Sequence, residues 1–394
     1  MNDIIFDPIE NPFSPGAGAP PPELAGREKV LDRAKLSILR IKNGKSEKSF
    51  FLVGLRGVGK TVLLRKIEEI AIDEKCFPIM IEVREDKNLV CSLVPKLRKL
   101  LFSMKLKENV GNKLNRAIKV LKGFAIRMTP EGNVEFGLDI EPERGTADSG
   151  DLENDLTELF EVLGEVAQEK KTAIVIIIDE IQYLNTEELS SLIMAVHKIT
   201  QRKLPVIALG AGLPQFLGKA GNAKSYAERL FDYPPIGQLS EDDAKKALQA
   251  PLKFINASFT EDAIREISRI TQNYPYFLQE WGYQSWENAT TNPIDKETIV
   301  KVTEIALERL DKNFFQVRFD RLTPKEKDYL RNMAELGGGP HKSGEIAKLV
   351  GVKTNSVAPV RNSLIKKGMI FSPNYGETEF TVPLFADYMK RVMK

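Results

Sequence analysis

The chain has 394 residues, 42% of them hydrophobic, a net charge of +2 and two cysteines. That length accommodates two or three domains with a sizeable core, and the near-neutral balance excludes a partner recruited by overall charge alone. Cys76 and Cys91 make neither a metal-type spacing nor a disulfide framework. The start, Met1-Asn2-Asp3-Ile4, lacks a basic segment followed by an apolar core, and no apolar run reaches the length of a membrane span. A cytoplasmic setting with no membrane partner is expected.

Residues 1–23 include Asn11-Pro12-Phe13-Ser14-Pro15-Gly16 and Pro20-Pro21-Pro22, which predict an extended arm. It is either a flexible tail or a strap laid over a neighbouring site. Gly26-Arg27-Glu28 then opens a helix that runs to about Lys42. Phe50-Phe51-Leu52-Val53 reads as a buried strand and Val62-Leu63-Leu64-Arg65-Lys66-Ile67 as the first turns of a helix. Between them stands Gly54-Leu55-Arg56-Gly57-Val58-Gly59-Lys60-Thr61. Strand, glycine loop and helix in this order form a phosphate cradle. Glycines let the backbone turn its N–H groups inward, and the helix N-terminus adds free donors and partial positive charge. Gly54, Gly57, Val58, Gly59, Lys60, Thr61 and Val62 are the predicted contacts to ATP. Lys60 would reach the β- and γ-phosphates, and the Thr61 hydroxyl would hold Mg²⁺. The base of such a nucleotide is what an ordered arm would cover.

Phe77-Pro78-Ile79-Met80-Ile81-Glu82-Val83 predicts a second strand. Residues 88–122 are helical and basic, with nine Lys or Arg against Glu108. That surface is either a solvated face neutralised by the acidic stretch 139–161 or a contact for a phosphate backbone. Alternation through 123–140, around Thr129-Pro130-Glu131-Gly132-Asn133, predicts a β-hairpin. A helix over about 152–169 leads to Ile174-Val175-Ile176-Ile177-Ile178-Asp179-Glu180, an apolar run that ends in two carboxylates. Such a run is a central parallel strand, and its C-terminal end is where open α/β sheets bind ligands. Asp179 would complete the Mg²⁺ shell and Glu180 would orient and deprotonate the attacking water.

A helix from Thr186 to Gln201 and a buried strand at Leu204–Leu209 follow, the latter ending in Gly210-Ala211-Gly212. Ser225 to Phe231 contains Arg229 and precedes a short strand through Ile236. Ser240 caps a helix, with Asp243 three residues on. From there to about Asp320 the pattern is helical.

The last module begins with Thr323 as N-cap and Pro324 at the first helical position. Ser343–Val350 is a second helix closed by Gly351, and Thr354–Lys367 a third closed by Gly368. Pro359 fits if that third helix starts at Asn355 or Ser356, because first-turn N–H groups have no partner. Met369–Ser372 and Glu379–Val382 flank the turn Pro373-Asn374-Tyr375-Gly376 as a hairpin. Residues 323–394 hold twelve Lys or Arg and seven Asp or Glu, a local net of +5. Asn355, Ser356, Arg361, Asn362, Lys366 and Lys367 are the polar positions of the third helix. Lying in a major groove, they would contact double-stranded DNA. The alternative is a module that contacts another protein.

Together these motifs resemble the AAA+ ATPases, in the group of the origin-recognition initiators and archaeal-type ATPases that shade into the STAND signalling ATPases. The resemblance implies an α/β fold with a three-layer P-loop core and parallel sheet, a helical lid and a C-terminal winged helix-turn-helix. Its domains would be an arm (1–23), the ATPase core (24–238, with an insertion at about 88–150), the lid (239–321) and the winged helix (322–394). By the same resemblance Gly26 and Arg27 lie beside adenine, Pro275 lies on the nucleotide, and Arg229 is an arginine finger acting on a neighbouring subunit in an ATP-dependent homo-oligomer. A structural salt bridge is the other reading of Arg229. The glycines ending the Leu204–Leu209 strand depart from the polar sensor 1 of such proteins, and no arginine occupies the sensor 2 position beside Tyr274-Pro275. The function implied is an ATP-binding and ATP-hydrolysing regulator or initiator on DNA. The alternative is a STAND-like switch whose winged helix holds a protein.

Overall fold

The apolar runs of the first half form one parallel sheet. The computed structural model describes residues 6–16, 18–107, 111–128, 141–225, 227–374 and 376–393. They form two compact units. The first unit comprises Lys29–Gly54 and Lys60–Pro235. In chain order it is built from α1 (Glu28–Lys42), β1 (Ser49–Val53), α2 (Lys60–Asp73), β2 (Phe77–Glu82), α3 (Leu89–Lys107), α4 (Asn112–Met128) and α5 (Leu152–Glu169), followed by β3 (Ile174–Asp179), α6 (Thr186–Gln201), β4 (Val206–Gly212), α7 (Phe216–Ala223), α8 (Ala227–Leu230) and β5 (Phe231–Asp232).

The five strands run parallel in the order β2-β3-β4-β1-β5. Phe50 lies opposite Leu209 and Ile176 opposite Ala208. Every residue of β1, β3 and β4 is buried. Strands covered on both faces carry continuous Ile and Val rather than alternation, and burying each such side chain stabilises by about 1.5–3 kcal/mol. This register brings the C-terminal ends of β1 and β3 to the same edge of the sheet, which positions the functional residues.

Two expectations are corrected here. Residues 123–128 are the last turns of α4, not part of a hairpin, and 129–140 lie outside the described residues. Leu114, Ala117, Ile118, Leu121, Phe124 and Ala125 recur at helical spacing and are all buried, so burial of one face decides the local structure. The strand expected through Ile236 is only Phe231–Asp232, continued by a parallel bridge between Val53 and Pro235. The basic block is partly neutralised: Arg116 pairs with Glu143 at 2.9 Å and Glu165 at 3.5 Å, while Lys96, Lys99, Lys113 and Lys119 stay exposed.

The second unit comprises Met1–Glu28, Leu55–Gly59 and Ile236–Lys394. Its helical part holds α9 (Glu241–Lys253), α10 (Glu261–Thr271), α11 (Pro275–Asn288), α12 (Lys296–Leu310) and α13 (Gln316–Phe319). The caps expected from sequence form: the Ser240 hydroxyl accepts the Asp243 N–H at 3.1 Å. The N-terminal arm packs along α11. Phe13 is buried, the Phe6 ring meets Trp286 edge-on at 4.9 Å, and Trp286 Nε1 donates to the Asp7 carbonyl at 2.8 Å. Asn11 donates to Glu287 at 2.7 Å. From Phe6 to Ser14 the arm is therefore a strap on a helix and not a free tail.

The C-terminal part holds α14 (Pro324–Glu335), β6 (His341–Lys342), α15 (Ser343–Val350), α16 (Thr354–Lys366), β7 (Ile370–Phe371), β8 (Glu377–Phe380) and α17 (Phe385–Val392). A capping box between Thr323 and Glu326 starts α14. The strands form a small antiparallel sheet in the order β6-β8-β7. The helix α17, which the sequence reading left unassigned, packs on α14. Thr354 opens α16, so Pro359 falls inside the helix and not in its first turn. Among the described residues no helix is long and apolar enough to cross a membrane.

Candidate active site

In the sheet unit the predicted residues meet at the ends of β1 and β3. Lys60, Thr61 and Val62 are the first three residues of α2, so their backbone N–H groups have no intrahelical acceptor and are available to an anion. The Val62 side chain is itself in the core, and only its N–H can serve a ligand. Lys60 is buried, and its ammonium donates to the Gly54 carbonyl at 3.0 Å. The Thr61 hydroxyl donates to Asp179 Oδ2 at 2.7 Å. The other oxygen of Asp179 accepts the Glu180 N–H at 2.8 Å.

Asp179 is only 3% exposed and makes no ion pair with a described residue. Burial raises its pKa, the Thr61 hydroxyl pulls it back, and the neighbouring Glu180 charge pushes it up again. A buried carboxylate joined to a hydroxyl, with the Lys60 ammonium acting on it only through its charge, fits an Mg²⁺ ion that would keep water and phosphate oxygens as its other ligands. Glu180 follows with φ at 54°, a left-handed conformation that side chains seldom adopt. Its carboxylate accepts a hydrogen bond from Gln182 Nε2.

In the helical unit the loop segment Leu55–Gly59 is held by two side chains and one backbone N–H. Gly57 and Gly59 have φ of 83° and 90°, which require glycine. The Tyr274 hydroxyl donates to the Arg56 carbonyl, and the Tyr276 N–H donates to the Gly57 carbonyl at 3.2 Å. Pro275, between those tyrosines, is the first residue of α11. Arg27 is buried and donates to the carbonyls of Val58 and Gly237. Burial lowers its pKa, against the opposing pull of Asp243 and Glu28. Arg27 therefore braces the loop backbone, a role that the sequence reading, which put it beside adenine, did not foresee. Gly26 has φ of 70° and lies against the Asp243 side chain.

Arg229 is exposed on the short helix α8 and has no ion pair with a described residue, so the salt-bridge reading finds no support. Two residues were missed from sequence. Gln182 is one, and only its polarity within Ile181-Gln182-Tyr183-Leu184 could have signalled it. Arg318 is the other. Its guanidinium lies 3.7 Å from the Phe314 ring centroid and donates to the Phe314 carbonyl at 2.7 Å. Burial first, then repulsion from Arg56, brings its pKa down to about 10. It makes no ion pair with a described residue. Arg318 thus places a second cation near Arg56, within electrostatic reach of Tyr274 and Tyr276 on either side of Pro275.

The six candidates on the third C-terminal helix separate. Asn355, Ser356, Asn362 and Lys366 are exposed. Arg361 instead donates to Thr378 Oγ1 at 2.9 Å, to Ser372 Oγ at 2.7 Å and to the Glu377 carbonyl at 3.0 Å, fastening α16 to the hairpin. Lys367 donates to Glu326 at 2.7 Å and to the Arg321 carbonyl at 2.9 Å. Burial alone would raise the Glu326 carboxyl, but Lys367, the Thr323 N–H and the Ser363 hydroxyl bring it down to about 2. Arg361 and Lys367 spend their donors inside the fold, contrary to their expected role on phosphates.

The family described as AAA ATPase domain matches residues 23–209, and a domain of unknown function (DUF8462) matches residues 312–389. Comparison with curated proteins gives no match. A Walker-type ATPase of Pyrococcus abyssi is similar at a TM-score of 0.58 and 18% identity, over 93% of this chain and 96% of that one. The Orc1 protein of Aeropyrum pernix, solved in complex with DNA, gives 0.45 and 17% over 94% and 93%. The RuvB Holliday junction branch migration motor of Thermotoga maritima gives 0.43 and 16% over 90% and 92%. The fold of the first half is that of the P-loop AAA+ ATPases.

Proposed function

We propose that this chain is an ATP-binding and ATP-hydrolysing regulator or initiator that contacts double-stranded DNA through residues 322–394, a winged helix-turn-helix. The observation that carries the ATPase half is the Thr61–Asp179 hydrogen bond of 2.7 Å between the start of α2 and the end of β3. It joins the two groups that such a reaction needs on one Mg²⁺ ion. That ion, when bound, neutralises charge on the β- and γ-phosphate oxygens.

The protein groups do the rest. The N–H groups at the start of α2 and the Lys60 ammonium hold the phosphates. Glu180 orients a water and takes its proton as the water oxygen bonds to the γ-phosphorus. The bond from that phosphorus to the bridging oxygen breaks, and ADP and inorganic phosphate leave. Arg229, exposed and uncommitted to any described carboxylate, would stabilise the charge of a neighbour's site. A finger of this kind contributes about 10³–10⁵ in rate. Arg318 and Arg56 supply further positive charge on the helical unit.

The experiment is duplex binding by fluorescence anisotropy with and without ATP, on wild type and Lys60→Ala. ATP should strengthen binding of the wild type and leave the variant unchanged. Mixing Arg229→Ala with Lys60→Ala should restore part of the lost turnover, since one supplies the finger and the other the intact site. No gain on mixing would return Arg229 to a structural role.

A second reading has its own observation. With Arg361 and Lys367 engaged internally, α16 offers fewer cations to a phosphate backbone than its sequence suggests, and Leu349 and Val352 are exposed beside it. That favours a STAND-like switch whose C-terminal module contacts protein. A wild-type chain with no duplex affinity at low salt would select it.

A further inference from the structure

The end of β4 carries glycine because no side chain fits there. A Cβ on Gly212 would stand 2.7 Å from Ile181 Cγ2 and 2.9 Å from Gln182 Oε1. A Cβ on Gly210 would stand 2.4 Å from the Ile178 carbonyl oxygen. The space is occupied by Gln182, which is 7% exposed. Its Oε1 accepts the Leu213 N–H at 3.0 Å, just past the end of β4, and its Nε2 donates to Glu180 Oε2. Only this orientation of the amide satisfies both partners. The reverse would set donor against donor and carbonyl oxygen against carboxylate.

The turn that carries Gln182 is itself tied down. Lys219 of α7, the helix that follows β4, donates to the Gln182 carbonyl at 3.2 Å and to the Leu184 carbonyl. Glu180 starts this turn in its left-handed conformation. Such a conformation persists only where the surroundings over-determine it, and it gathers at functional sites. Here the surroundings are the side chain of Gln182 on one side and the hydroxyl-linked Asp179 on the other.

We infer that Gln182 is a positioning residue for Glu180: its carboxamide links the end of β4 to the carboxylate that orients the attacking water. The inference rests on the reading of Glu180 as the general base. A 1 Å displacement of a catalytic group can cost about 10²-fold, so a link that fixes one carboxylate oxygen has kinetic consequences. The merely structural alternative is that Gln182 fills a hollow and satisfies one backbone N–H.

The test compares Gln182→Met, Glu180→Gln and the double variant in steady-state hydrolysis of Mg²⁺-ATP, with nucleotide affinity measured on a fluorescent ATP analogue. Gln182→Met keeps the volume and removes both hydrogen bonds. Its kcat should fall by about tenfold or more while affinity stays within about twofold, and the double variant should be no slower than Glu180→Gln alone. Wild-type kcat in Gln182→Met, or full additivity in the double variant, overturns the inference. Wild-type turnover in Glu180→Gln overturns the reading of the base instead. If Gln182→Met does not fold, the wild type still decides. The Gln182 side-chain amide, observed by ¹⁵N NMR, should carry one proton shifted downfield by the carboxylate, and Glu180→Ala should move it upfield. An unmoved resonance overturns the inference.

Discussion

At the ends of β1 and β3 a buried carboxylate meets a hydroxyl at the start of a helix; on α16 the cations meet the hairpin and α14. Asp179 is buried without an ion pair to a described residue, and the first N–H groups of α2 have no acceptor in their helix. Arg361 and Lys367 instead reach five acceptors between them within the C-terminal module. A buried carboxylate whose hydrogen bonds are made, yet which has no ion pair with a described residue, points to a cation. A cation that spends most of its donors within its own module points to the fold. Charge counting on a helix cannot tell the two apart.

The contrast is open to attack, and the largest effect is expected at the nucleotide site. Glu180→Gln should retain ATP affinity and lose about 10²–10⁴ in turnover, since only the water-activating carboxylate is changed. Lys60→Ala should weaken nucleotide binding itself, read by titration of the same fluorescent analogue. Equal effects of the two on affinity would blur the distinction between holding phosphate and activating water.

On α16 the largest effect should be on stability. Arg361→Ala removes three hydrogen bonds from a cation and should destabilise the C-terminal module by about 2 kcal/mol, seen as a lower thermal midpoint. A duplex affinity that collapses with the midpoint unchanged would show that Arg361 serves DNA after all. Acid should act on the same module. Glu326 sits at about 2 in the fold against an ordinary 4.5, so its contribution is complete above 4.5 and is lost as the pH falls toward 2. Glu326→Gln should flatten that part of the pH–stability curve.

The smallest effect belongs to Lys366, which is exposed. Lys366→Ala should leave the thermal midpoint alone and lower the slope of log affinity against log salt by about one, as one phosphate contact is lost.

What was legible in the sequence was set by backbone geometry. The glycine loop, the apolar strand before Asp179-Glu180 and the caps at Ser240 and Thr323 each need certain residues at fixed spacing, and the structure forms each of them. What was not legible depended on distant neighbours. Gln182 becomes significant only because Leu213 lies beside it, and Arg27 only because Val58 and Gly237 turn their carbonyls toward it. Residues 123–128 were misread for a local reason: they read as alternation ahead of the turn residues 129–133, yet Phe124 and Ala125 continue the buried face of α4. Pro359 argued for a start of α16 at Asn355 or Ser356, yet the helix opens at Thr354 and takes the proline inside it.

Both tryptophans of the chain, Trp281 and Trp286, stand on α11. Each is buried, and each indole N–H is bonded, Trp281 to Thr303 at 3.0 Å and Trp286 to the arm at 2.8 Å. The same helix begins with the residues that grip the carbonyls of Arg56 and Gly57. Native ultraviolet emission therefore reports on a single helix. Its wavelength maximum, followed in a stopped-flow mixer without any dye, would follow the grip on the loop as nucleotide arrives and departs.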